Sequence, residues 1–143
     1  MTALPRNVIT LMGQPNQNEQ GNAGEAGIIP GMAVQGSLTI MRHATAGGDG
    51  PRLFALERQE MGQGINVAYS SGDRVKVGSF SKGDRVYAFI PATANIPIDG
   101  LLTSNGDGTM KTKGATDAAW GKALEAVNNA AGGTAVRIRM EVM

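Results

Sequence analysis

Val136-Arg137-Ile138-Arg139-Met140-Glu141-Val142 alternates apolar and charged side chains without a break. Period-two alternation puts Val136, Ile138, Met140 and Val142 on one face of a β-strand and Arg137, Arg139 and Glu141 on the other. The first face is expected in a core and the second in water. No stretch of the chain gives a cleaner signal, and it sets the expectation for what lies upstream.

Working back from it, short β-rich runs recur between turn signals. Val86-Tyr87-Ala88-Phe89-Ile90 follows the turn Lys82-Gly83-Asp84, and Val75 and Val77 follow Ser71-Gly72-Asp73. Ile65, Val67 and Tyr69 alternate after Gly62-Gln63-Gly64. Leu53-Phe54-Ala55-Leu56-Glu57, Ser37-Leu38-Thr39-Ile40-Met41-Arg42 and the pieces around Pro30-Gly31 complete the series. Turns spaced about every ten residues between short strands predict a sandwich or barrel. The 21 glycines, against only three Phe, two Tyr and one Trp, fit a small domain cut by many turns.

Residues 116–131, TDAAWGKALEAVNNAA, pull the other way. Trp120, Ala123, Leu124 and Val127 fall at helical spacing, Thr116 or Asp117 can cap a start, and Gly132-Gly133 can end it. Gly121 inside it weakens a helix by about 1 kcal/mol. An internal echo favours strand: Ala55-Leu56-Glu57 precedes Gly64 and Val67 much as Ala123-Leu124-Glu125 precedes Gly132 and Val136. Both readings of the segment stay open.

The first 26 residues differ in texture. Gln14 to Gly27 carries no aromatic, β-branched or large apolar side chain, so alone it cannot offset its ordering entropy. Ahead of it lie Val8, Ile9, Leu11 and Met12. Such a patch either rests on its own domain as a frayed terminus or pairs with a neighbouring chain as an added strand. The expected organisation is a flexible arm over 1–26 and an all-β domain over 27–143, with at most one short helix.

Several function classes drop out. No apolar run approaches the ~20 residues of a membrane-spanning helix, and Met1 to Met12 does not read as a secretory signal. The chain has no cysteine and one histidine, His43, which removes thiolate metal sites, cysteine nucleophiles and two-histidine metal sites. A formal charge of +1 gives no electrostatic case for nucleic acid or an anionic membrane. His43 lacks any G-x-S-x-G or H-E-x-x-H context and reads as an ordinary surface or loop histidine. Ser104 to Thr109 presents Asn105, Asp107 and Thr109 in calcium-loop fashion. Position twelve is Thr116 rather than Glu, so the stretch reads as a hairpin turn. Gly62-x-Gly64 and Gly47-Gly48-x-Gly50 read as turns, not phosphate cradles. Catalytic, cofactor-binding and metal-binding residues are all expected to be absent.

The order of the blocks Ile29 to Val34, Leu53 to Glu57, Ile65 to Val75, Lys82 to Ala88, Leu102 to Gly108, Lys122 to Val127 and Val136 to Arg139 resembles the small capsid decoration, or cement, proteins of tailed bacteriophages. The resemblance covers most of Ile28 to Val142. It implies a non-enzymatic β-barrel-like domain on the outer surface of the virion head, assembled in the host cytoplasm. Its partners would be the major capsid protein and itself, as a trimer or in some cases a dimer. In some members of that family an N-terminal arm orders on the capsid, and Val8, Ile9, Leu11 and Met12 are the residues placed for that role here. A tail or baseplate β module and a carbohydrate-binding module are the alternative expectations.

Overall fold

A computed structural model describes residues 8–143. In chain order, the first strands are β1 (Thr10–Met12), β2 (Asn16–Asn18), β3 (Asn22–Ala23), β4 (Val34–Gln35), β5 (Thr39–Arg42) and β6 (Leu53–Ala55). A single 3-10 turn, Gln59–Met61, comes next. The rest are β7 (Val77–Ser79), β8 (Arg85–Ile90), β9 (Asn95–Ile96), β10 (Leu101–Ser104), β11 (Met110–Thr112), β12 (Gly121–Ala123), β13 (Val127–Asn128) and β14 (Val136–Val142). The all-β expectation holds. The largest sheet runs β1-β8-β14-β12-β10-β11, with smaller sheets β2-β7-β6, β3-β5-β4 and β13-β9. The main sheet curls until β11 packs near β8. It stays open, ending on β1 and β11, so the fold has the character of a small sandwich rather than a closed barrel.

β14 is the spine, as its alternation predicts. It pairs antiparallel with β8 from Val136↔Ile90 to Glu141↔Arg85, and with β12 on its other side. Ile138, Met140 and Val142 are buried together with Val86, Ala88, Ile90, Leu102, Phe54 and Trp120. A second cluster gathers Ile28, Val34, Ile40, Tyr69, Val75 and Val77 under the smaller sheets. Tyr69 enters it because its hydroxyl donates to the Leu56 carbonyl (2.7 Å) and accepts the Lys76 N–H (3.2 Å). Burial pushes its pKa up.

The other face of β14 departs from expectation: it is half-buried, not simply wet. Arg137 lies over Phe89, its register partner, at 4.4 Å. Its guanidinium donates to the carbonyls of Pro30 (2.8 Å) and Ile65 and to Asn66 Oδ1 (2.7 Å). Arg139 pairs with Glu125 at 3.1 Å and faces Tyr87. Arginine stems cover apolar surface while their heads find acceptors, which period-two alternation alone does not reveal.

The disputed segment 116–131 forms no helix and carries the short strands β12 and β13 between turns and irregular chain. Gly121 gives the reason. A Cβ there would stand 2.4 Å from Met140 Cγ, so β12 lies flush on β14 only because that side chain is missing. The echo is half realised: β6 ends at Ala55 and β12 at Ala123. Only the second copy leads into a long alternating strand, because Tyr69 makes just an isolated bridge to Ile28.

The described part of the expected arm, residues 8–26, is built into the domain. β1 pairs with β8, β2 with β7, and β3 runs parallel to β5. Ile9 is fully buried in the main core, with its N–H donating to Glu57 Oε2 at 3.2 Å. Composition missed this because β2 is held by its main chain, with all three side chains exposed. The remainder of the expected arm, 1–7, lies outside the described residues.

Candidate functional site

β1 is an outer strand of the main sheet, so one side of its main chain lacks a strand partner among the described residues. An irregular register between Thr10 and Met12 lets Val8 and Leu11 share a hollow with Arg85, Leu124 and Arg139. It measures about 480 Å³. Arg85 and Arg139 alternate with the buried Val86, Ile138 and Met140, which puts the hollow on the sheet face turned away from the core. Met12 is exposed at 48% beside it.

Of the four residues picked from the sequence, Val8 and Leu11 thus line one hollow and Met12 stands at the surface. Ile9, just ahead of β1, is core, and the irregular register of β1 puts Leu11 on the opposite face from it. The sequence reading missed Arg85 and Leu124 as partners of that group. Arg139 was legible only as part of a charged strand face.

The charges in the hollow are partly compensated. Glu125 Oε2 accepts from both the backbone N–H and the guanidinium of Arg139, and both side chains are largely shielded from water. Arg85 meets Glu141 at 3.9 Å with both side chains substantially exposed. An exposed pair at that distance is held weakly, leaving Arg85 able to turn to another carboxylate or carbonyl. Val8, Leu11 and Leu124 set among two guanidinium groups, beside a strand edge without a partner among the described residues, together can take an extended polypeptide segment.

The other sequence candidates resolve as structural parts. Ser104 to Thr109 is the β10–β11 hairpin, with Asp107 Oδ1 accepting the Thr109 N–H at 3.0 Å. No group of three or more metal-ligating side chains occurs among the described residues.

His43 corrects its sequence reading: it is buried, 5% exposed, because it packs edge-on against Trp120 at 4.9 Å. Its Nδ1 lies 2.6 Å from Ser104 Oγ. Ser104 is fully buried, and the other ring nitrogen lies beside Gly50, with no carboxylate hydrogen-bonded to the ring among the described residues. The pair is therefore a buried hydrogen-bond chain, not an exposed nucleophile with an oriented base.

A cleft of about 390 Å³ lies over β2, β7 and β6, with Asn16, Asn18 and Ser79 beside Ile40, Leu53 and Val77. Its lining residues are uncharged. No protein-family model matches the chain, and no curated protein matches it in sequence.

Proposed function

We propose that this chain is a capsid decoration protein: it binds the outer surface of a tailed-phage head, as a homotrimer, and bridges neighbouring major capsid subunits. The observation that carries the reading is the hollow on the outer face of the main sheet beside β1, whose far edge has no strand partner among the described residues. It joins Val8 and Leu11, from the segment the resemblance singles out, to Arg85, Leu124 and Arg139. A strand edge gains main-chain hydrogen bonds from an extended partner whatever its side chains, and the hollow supplies register. Repetition over a symmetric shell multiplies modest single contacts.

The resemblance supports the same reading, since most of its blocks fall on a strand or a strand with its turn. Among the alternatives, a carbohydrate module gains little. Trp120 and Tyr69 are core residues, and Tyr87 is covered by Arg137 and Arg139, so these rings offer no stacking platform.

The test is co-sedimentation of the purified chain with expanded heads of the parent phage that lack it. Saturable binding that weakens for the Val8→Asp and Leu11→Asp double variant is expected. Failure to bind heads, with binding to tails or baseplates instead, would move the protein to the tail.

A further inference from the structure

The chain has one histidine and one tryptophan, and the fold sets them ring against ring. His43 follows β5 and sits beneath the segment 44–51. Among the hydrogen bonds that tie that segment to its surroundings, three join it to the hairpin and to the stretch before β12: Gly47 N–H to the Ser104 carbonyl (2.8 Å), Ala118 N–H to the Gly47 carbonyl (3.0 Å) and Trp120 Nε1–H to the Gly48 carbonyl (2.9 Å). Arg52 completes the cluster. It stands 4.7 Å over the Trp120 ring, donates to the Gly50 and Ala119 carbonyls, and pairs with Asp49 at 2.7 Å.

The hydrogen bonds fix the protonation state of the ring. Ser104 Oγ accepts the Gly106 N–H at 3.2 Å, so its own hydroxyl proton goes to Nδ1, 2.6 Å away. Nδ1 is then an acceptor, and the ring proton is on Nε2, the nitrogen beside Gly50. Nδ1 and Ser104 are both satisfied with neutral imidazole.

We propose that His43 is an acid-sensitive latch: a proton on Nδ1 releases segment 44–51 from the Trp120-bearing stretch 114–120 while the β8–β14 core stays folded. A protonated ring donates at both nitrogens. Ser104 would have to turn its hydroxyl proton away inside a fully buried site, leaving a donor without an acceptor. The new cation would also sit near Arg52.

The charged groups facing the ring are Asp49 and Arg52, both from 44–52. The β10–β11 hairpin presents the uncharged Ser104, and the stretch before β12 presents Trp120. Arg42, next to His43 in β5, is engaged by Glu25. The Arg52 charge opposes protonation and the Asp49 carboxylate favours it. Asp49 is already held in its ionised form by Arg52.

Burial, joined by the Arg52 charge, holds the His43 pKa below the ordinary value of about 6.5. The direction of the pH effect follows. Above about 6.5 latched and released forms are both neutral, and the latch is at full strength. As pH falls below 6.5 the released form takes the proton first, so the latch weakens until the lower, latched pKa is passed.

Two probes in the intact chain read this directly: the His43 ring-proton NMR signal and Trp120 fluorescence, titrated together from pH 8 to 4.5. Both are expected to share one midpoint below 6.5. Hydrogen exchange, corrected for its intrinsic pH dependence, should speed up below pH 6.5 for the Trp120 indole and Gly47 but stay level for Ile138 and Met140. His43→Gln, which does not titrate, should abolish the fluorescence step. Should that variant not fold, the wild-type titration still decides. A histidine midpoint at or above 6.5, a fluorescence step at a different pH, or simultaneous loss of protection in β14 would each overturn the latch.

Discussion

Replacing Arg137 by alanine tests whether the outer face of β14 is structural. Its guanidinium donates to the carbonyls of Pro30 and Ile65 and to Asn66. Those groups belong to two separate loops, and Pro30 and Ile65 are both buried. A buried carbonyl left without a donor costs about 1–3 kcal/mol, and loss of the cation over Phe89 adds about 0.5–2 kcal/mol. Water entering the vacated space recovers part of this, so R137A is expected to lose about 3–5 kcal/mol. For a chain of this size that lowers Tm by roughly 10 °C or more. Urea unfolding followed by Trp120 fluorescence measures it, with R137K as the comparison. Lysine keeps the charge but lacks the planar fork that spans three acceptors, so about half the loss should remain. An R137A variant within about 0.5 kcal/mol of the parent, the usual range for a plain surface substitution, would refute the clasp.

Ile9→Ala should cost about 2–5 kcal/mol in the same unfolding assay, because Ile9 is fully buried rather than displayed for a partner. Deleting residues 1–26 should abolish cooperative unfolding, since it strips β1, β2, β3 and Ile9 together; a well-folded truncation would show the segment to be a dispensable arm after all. Gly31→Ala places a Cβ 2.6 Å from the Tyr87 carbonyl oxygen at a φ of +99°, and is expected to destabilise by about 1–3 kcal/mol by thermal melting. Arg85→Ala should leave unfolding free energy within about 1 kcal/mol of the parent yet weaken head binding in the sedimentation assay.

How much of this was legible depends on what kind of force holds each part. β14, β8 and the 104–109 hairpin were readable because alternation and turn chemistry are local properties of the side chains. The 116–131 segment was ambiguous because helix propensity is local, whereas the need for Gly121 arises only when Met140 lies against it. The N-terminal segment misled for a related reason. Main-chain pairing of Asn16–Asn18 with Val77–Ser79 leaves no mark on composition. Val8, Leu11 and Met12 were legible as apolar candidates, but the core residue Ile9 could not be told from them until the chain was placed against β8. Arg85 and Leu124 come from turns and strand ends far along the chain, and only the fold brings them to the hollow. The burial of His43 was likewise invisible, because it depends on Trp120 and Ser104, both remote in sequence.

An electron-cryomicroscopy map of the intact parent particle tests the central proposal most directly. The account predicts density for this fold on the outer surface of the head, repeated around local symmetry axes, with the β1 edge and its hollow against a major capsid subunit. A head surface bare of this density, or its appearance on the tail or baseplate, would contradict it.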